Sequence, residues 1–206
     1  MFKTLKKLTI VSVLALALLA MTGCGGNSAR ETPTPSPTEA APAAQTASDG
    51  TSVVVYFSAT GTTRGVAQKI AAATGSDVYE IVPAEPYTSA DLDYNDSSSR
   101  TTIEMADSSA RPALAGDPID LSAYSTVYLG YPIWWGDAPR IMSTFVESVD
   151  LDGKTVIPFC TSGGSGIGGS AKTLEQQAGA GTWKAGARLD GAASDAAIAS
   201  FIQDNR

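Results

Sequence analysis

The chain has 206 residues, and its 14 basic and 21 acidic side chains give a formal net charge of −7. This acidic balance argues against nucleic acid as a partner and against adhesion to anionic lipid. Histidine is absent, which excludes histidine-based catalytic triads and HExxH metal sites and makes chemistry carried by a bound cofactor more plausible.

Residues 1–23 have the pattern of an export signal. Three lysines lie within the first seven residues, and the apolar run over residues 8–20 is too short to span a bilayer as a stop-transfer helix. Cys24 follows Met-Thr-Gly, which resembles a bacterial lipoprotein signal in which the cysteine becomes the lipidated first residue. We therefore expect a lipid anchor on the extracytoplasmic side of the cell membrane, and an uncleaved helical anchor would place the domain on the same side.

Residues 24–51 are predicted to connect this anchor to the folded part of the chain. The segment is rich in Pro, Ser, Thr and Ala and nearly free of large apolar side chains, so it cannot bury a core. As a flexible tether it would span roughly 25–30 Å. Residues 52–206 are then long enough for one domain, in which Cys160 has no second cysteine for a disulfide.

The stretch 52–73 reads as strand, loop and helix. Residues 53–57 form an unbroken apolar run, as expected for a strand covered on both faces of a parallel sheet. Helical spacing of apolar residues begins at Thr63 and continues to residue 73. The loop between the two elements consists of Ser58, Ala59, Thr60, Gly61, Thr62 and Thr63.

This loop has the composition of a phosphate socket. Its hydroxyls precede first-turn amides that lack intrahelical partners, and the helix dipole favours an anion there. The GxxxxGK[ST] pattern of nucleoside-triphosphate sites is absent, which favours a phosphate monoester. The alternative is a Thr N-cap in a tight turn that binds no ligand.

The same loop resembles the phosphate loop of flavodoxins, which bind flavin mononucleotide (FMN). The family pattern is a hydroxyl residue, any residue, then Thr-Gly-x-Thr, and it is matched by Ser58, Thr60, Gly61 and Thr63. The resemblance implies that the amides and hydroxyls of residues 58–63 hold the FMN phosphate.

The remaining segments alternate between strand and helix patterns. After the first pair we predict strands over 77–83, 127–131, 154–160 and, weakly, 185–190, and helices over 89–107, 139–149, 171–178 and 194–204. This alternation predicts an α/β fold with a doubly wound, five-stranded parallel sheet. In the flavodoxin-like order 2-1-3-4-5, strands one, three and four are neighbours, and the loops that follow them converge on one pocket.

The loop after the third strand contains two adjacent tryptophans, and leaving both indoles in water would be costly. Either both pack beneath the connection over 84–125, or at least one contacts a ligand, which we favour. The flavodoxin resemblance implies that Trp135-Gly136 lies beside the flavin ring, with backbone contacts from Pro132, Ile133 and Trp134. The indole and the nearby Asp137 would disfavour the anionic reduced flavin and lower its potential.

The loop after the fourth strand is rich in glycine and serine. By resemblance, the amides of Thr161, Ser162, Gly163, Gly164, Ser165 and Gly166 would meet the pyrimidine edge of the flavin. The tyrosine that short electron-carrier flavodoxins commonly have in this loop is missing, which leaves a face open to a substrate. Two weaker alternatives remain here, a dinucleotide-binding GxGxxG at residues 164–169 and a redox role for Cys160 in place of simple packing.

Three functions follow from these patterns. The first is an FMN electron carrier tethered outside the cytoplasmic membrane, whose partner is a redox protein with a basic docking face. The second is an FMN-dependent NAD(P)H:quinone-type oxidoreductase that acts on a small quinone-like acceptor. The third is a binding module that kept the fold without the flavin. We favour the carrier because the sequence contains no recognisable nicotinamide site apart from the weak GxGxxG match at residues 164–169.

Overall fold

The computed structural model describes residues 52–205. The predicted signal (1–23) and the predicted lipidation site and linker (24–51) lie outside the described residues. Within the described part, no helix has the length and the apolar character that crossing a bilayer requires.

Strands and helices alternate along the chain from residue 52 onward. The strands are β1 (Ser52–Tyr56), β2 (Asp77–Glu80), β3 (Thr126–Pro132), β4 (Thr155–Thr161), β5 (Thr182–Trp183) and β6 (Ala187–Arg188). The helices are α1 (Thr62–Thr74), α2 (Arg100–Ala106), α3 (Arg140–Ser148), α4 (Ser170–Ala178) and α5 (Asp195–Asp204).

The strands form one parallel sheet in the order β2-β1-β3-β4-β5, with β6 also paired to β4. This arrangement confirms the predicted α/β fold and the order 2-1-3-4-5. Val53 and Val55 of β1 face a core cluster that includes Met142 of α3 and Leu174 of α4. Val54 and Tyr56, which alternate with them along the strand, face a second cluster built with α1 and α5. The unbroken apolar run of β1 therefore reflects burial on both faces of the sheet.

The fifth strand position holds two short segments, β5 and β6, where the sequence predicts one strand over 185–190. Val156 and Cys160 of β4 accept hydrogen bonds from Lys184 and Leu189 along this edge. Pro158 lies between them on the same edge and has no amide hydrogen that could donate to the neighbouring strand. Gly186 passes so close to Pro158 that an added Cβ would lie 2.1 Å from its carbonyl oxygen, and the strand is interrupted there.

The predicted helix over 89–107 is wrong in its first half, because only Arg100–Ala106 is helical. Side chains between residues 88 and 99 bond to nearby amides instead: Thr88 and Asp91 bond each other's backbone, and Asp93 Oδ1 accepts from the amide of Asn95. Such local bonds compete with helix formation. The helix begins only where Ser99 caps it by accepting from Thr102.

Candidate cofactor site

The loops that follow β1, β3 and β4 line one cavity of about 370 Å³, which lies in the size range of small-molecule sites. Pairing of Tyr56 with Gly130 and of Pro132 with Thr161 places the three strand ends side by side, as the predicted order requires. The lining residues are Ser58, Ala59, Thr60, Thr62, Thr63, Pro132, Ile133, Trp134, Thr161, Ser162 and Gly163.

Six other residues of the predicted site belong to the same three loops but are not among those that line this cavity. Gly61, Trp135 and Gly136 shape the turns of the first two loops. Gly164, Ser165 and Gly166 form the exposed tip of the third loop. The structure therefore brings together five predicted residues of the first loop and three each of the second and third loops.

Helix α1 begins at the floor of the cavity with its first-turn amides uncapped by any side chain. Its N-cap is Gly61, whose φ of 88° is favourable only for glycine, and no side-chain hydrogen bond caps the helix. Ser58 Oγ accepts from the Gly61 amide at 3.1 Å and so closes the loop beneath the helix end. The alternative of a Thr N-cap does not hold, and the amide end of the helix faces an open cavity suited to an anion.

The threonine hydroxyls of the loop fall into two classes. Thr60 and Thr62 are exposed, and their hydroxyls lie 3.4 Å apart. Thr63 is buried, and its hydroxyl lies 2.9 Å from that of Thr161 in the third loop. Within this pair one hydroxyl donates to the other, so only one of the two retains a proton for a ligand.

The tryptophan pair sits on a two-residue turn. The backbones of Trp134 and Asp137 exchange two hydrogen bonds of 2.9 Å, and the residues between them, Trp135 and Gly136, have φ values of 48° and 80°. Positive φ at both positions defines a type I′ turn. Because bulky residues rarely adopt this backbone, Trp135 is held in an unfavourable conformation.

The two indoles have different environments. Trp134 is partly buried and makes edge-to-face contacts with Phe57 at 5.6 Å and with Tyr87 at 5.2 Å between ring centroids. Trp135 is 47% exposed. The alternative in which both indoles pack beneath the 84–125 connection is therefore wrong. Contact of either ring with a ligand stays a prediction.

Two arginines that sequence reasoning missed hold the loops in place. Arg140, which is 8% exposed, donates to the Met105 and Asp107 carbonyls and lies 3.2 Å from the Asp137 carboxylate. Arg188 donates to the Ser162 carbonyl at 3.2 Å. The pairing of Asp137 with Arg140 reduces the electrostatic effect on a nearby flavin that the sequence assigned to Asp137.

Comparison with known proteins identifies the family. A family model described as flavodoxin matches residues 51–205. The chain belongs to the flavodoxin family. A search among curated proteins gave no match.

Three solved structures resemble this flavodoxin. A protein of Bacteroides uniformis, provisionally described as a flavoprotein, is 47% identical with a TM-score of 0.72, covering 75% of this chain and 98% of its own. Another from Bacteroides eggerthii is 48% identical with a TM-score of 0.71, covering 75% and 96%. A flavoprotein from Lactobacillus acidophilus in complex with FMN is 18% identical with a TM-score of 0.54, covering 73% and 97%, which supports the fold alone.

The Cys160 thiol of this flavodoxin is not a reactive group. Cys160 is fully buried among apolar side chains, and burial raises the pKa of its thiol to about 11. A neutral buried thiol is a poor nucleophile, so the structure agrees with a packing role for Cys160.

The strain at Trp135 leads to a stability prediction. A type I′ turn favours Asn-Gly, so Trp135→Asn removes a backbone penalty of roughly 1–2 kcal/mol at a half-exposed position. We expect the free energy of unfolding, measured by urea denaturation, to be at least that of the parent protein. The matched Trp134→Asn change should lose more than about 2 kcal/mol, since that indole packs against Phe57 and Tyr87. Equal losses in both variants would contradict the assignment of strain to Trp135.

Proposed function

We propose that this flavodoxin is an FMN-binding electron-transfer protein tethered to the outer face of the cytoplasmic membrane. One observation carries the proposal: the loops after β1, β3 and β4 line a single cavity with the uncapped amide end of α1 at its floor. The redox role rests on membership of the flavodoxin family and on the likeness to the two Bacteroides proteins described as flavoproteins.

The donors at the floor of the cavity suit the phosphate of FMN. The first-turn amides of α1 and the hydroxyls of Thr60 and Thr62 supply neutral donors. Arg64 in the same turn is already paired, with its Nη2 atom 2.5 Å from Glu80 Oε1. The phosphate is thus bound by hydrogen bonds and the helix dipole, without a dedicated cation.

The remaining walls suit a flat ring system. Ile133 and Trp134 provide apolar surface, and Thr161, Ser162 and Gly163 contribute hydroxyl and backbone groups to the same lining. Backbone amides of that second loop would orient the polar edge of the ring. When bound, FMN supplies one- and two-electron chemistry.

No residue lining the cavity has a titratable side chain, since the lining consists of hydroxyl, apolar and glycine residues. Electron transfer needs no protein acid or base, so this lining is sufficient for a carrier. The role of the chain's own residues is to bind and orient the cofactor.

The tether and the partner complete the proposal. Lipid on Cys24 would hold the domain near the membrane, and the acidic surface favours a redox protein with a basic docking face. We expect Cys24→Ser to move the protein from the membrane fraction to the soluble fraction of cells, measured by immunoblotting. Retention of the variant in the membrane would contradict lipid anchoring at Cys24.

A second candidate is the FMN-dependent NAD(P)H:quinone-type oxidoreductase. It is favoured by an aromatic cavity, lined in part by Tyr94 and Trp135, that adjoins the cofactor cavity. The two candidates are separated by anaerobic assays of the FMN-loaded chain with NADH or NADPH and a naphthoquinone. A carrier turns over only when a separate flavodoxin reductase is added, whereas turnover without one would replace the carrier by the oxidoreductase.

A further inference from the structure

A second cavity of about 370 Å³ lies beside the cofactor cavity. The two cavities share Thr60, Ile133 and Trp134, which form a common wall. The remaining lining of the second cavity, called here the aromatic cavity, comes from Leu92, Tyr94, Thr101 and Trp135. A molecule in the aromatic cavity would therefore lie one layer of side chains away from the cofactor.

The aromatic cavity presents apolar surface and few free polar groups. Its walls carry three aromatic side chains and two branched aliphatic side chains, with no charged residue among them. The hydroxyl of Thr101 is already used, because it donates to the Asp91 carbonyl at 2.5 Å. Such a lining favours a flat, uncharged ligand that stacks on aromatic rings.

Two of the aromatic side chains that line this cavity are exposed to solvent. Tyr94 is 74% exposed and Trp135 is 47% exposed. Trp135 is kept there by its left-handed backbone and by a turn that Arg140 anchors through Asp137. An exposed aromatic side chain held on a strained turn at a cavity, as Trp135 is, is costly to maintain unless it contacts a ligand.

The surroundings of Tyr94 disfavour anions. Asp93 and Asp96 are both exposed and lie within two residues of Tyr94 in the chain. Their carboxylates would repel a negatively charged ligand near the rim, an effect that salt would weaken.

We propose that the aromatic cavity binds flat, uncharged two-ring aromatic compounds of the naphthoquinone class. As the docking site of a redox acceptor, the aromatic cavity rests on the second candidate function, the quinone-type oxidoreductase; binding of the aromatic compound does not depend on either function. The aromatic cavity is distinct from the open face at residues 161–166, since none of those residues lines it.

The probe is 2,3-dimethyl-1,4-naphthoquinone, which has no free quinone carbon for thiol addition. Its binding to the full FMN-loaded chain is measured by equilibrium dialysis, with every variant in the same detergent so that partition into micelles cancels. Tyr94→Ala should weaken binding about tenfold, since a stacked aromatic contact and its burial are together worth about 1.4 kcal/mol. The FMN dissociation constant should not change, because Tyr94 is not among the residues lining the cofactor cavity.

Two controls sharpen the test. Ile103 is 57% exposed and does not belong to the lining of the aromatic cavity, so Ile103→Ala should leave probe binding unchanged. Naphthalene-2-sulfonate, a flat anion of similar ring size, should bind more weakly than the quinone, and added salt should reduce the difference.

Several results would overturn the inference. These are absence of probe binding, equal affinities for the parent and Tyr94→Ala, an equal loss in Ile103→Ala, or mutual displacement of FMN and the probe. The last result would assign the aromatic cavity to the cofactor itself. Failure to bind FMN would instead contradict the proposed function, and dialysis of the FMN-free chain would still test the aromatic cavity.

Discussion

Thr62→Glu is expected to weaken FMN binding by at least about 100-fold, which corresponds to roughly 2.7 kcal/mol. Thr62 is the first residue of α1 and lines the cofactor cavity, so the new carboxylate occupies the place of the phosphate and repels it. The same charge interacts favourably with the helix dipole and should stabilise the fold by about 0.3–1 kcal/mol. The variant thus separates binding from stability, because the two change in opposite directions.

Fluorescence titration with FMN and with riboflavin measures this effect. Riboflavin lacks the phosphate, so its affinity for Thr62→Glu should stay close to that of the parent. Ala196→Glu is the matched control, since it places the same charge in the first turn of α5, which is not part of the cavity lining. Equal losses for FMN and riboflavin would mean that Thr62 faces another part of the ligand.

Arg140→Met is expected to lower the free energy of unfolding by about 2–4 kcal/mol. The buried guanidinium caps the carboxyl end of α2 through the Met105 and Asp107 carbonyls and pairs with Asp137 on the tryptophan turn. Methionine fills much of the same volume but removes the guanidinium donors from both carbonyls and from Asp137, while the Asp107 carbonyl keeps its hydrogen bond from the Ala110 amide. Loss of this anchor should also loosen the turn and shift the tryptophan fluorescence of the folded protein.

The control is Arg111→Met, which removes the more exposed ion pair with Glu147 together with hydrogen bonds to the Ser108 and Ala110 carbonyls. Pairs of that kind contribute less than about 1 kcal/mol to stability. Arg140→Lys keeps the charge but not the planar fork and should recover only part of the loss. Similar unfolding free energies for the two methionine variants would contradict the prediction that the buried contacts of Arg140 stabilise the fold more than the exposed contacts of Arg111.

The sequence predicted the parts of the fold that local patterns determine. The unbroken apolar run of β1 indicated burial on both faces, and the structure confirms it through two separate core clusters. Convergence of three loops followed from the strand order, because neighbouring parallel strands end at the same edge of the sheet.

Contacts between distant residues could not be predicted in this way. The pairing of Thr63 with Thr161 joins residues 98 positions apart, and Arg140 reaches Met105 across 35 positions. No periodicity encodes either contact, since both depend on how the finished elements pack.

Two errors did have signals in the sequence. Pro158 within β4 removes an amide hydrogen at the edge that β5 and β6 share, and a proline inside a strand is a warning of an interrupted neighbour. The density of Asp, Asn and Ser over residues 88–99 favours side-chain turns over a helix, as the bonds at Asp93 and Asp96 show.

Titration of the purified chain with FMN is the most direct test of the central claim, that three loops of one sheet edge form a flavin mononucleotide site. We predict binding of one FMN per chain, accompanied by quenching of flavin fluorescence, with an affinity at least tenfold higher than that of riboflavin because the amide end of α1 holds the phosphate. Absence of binding, or equal affinities for FMN and riboflavin, would contradict the account.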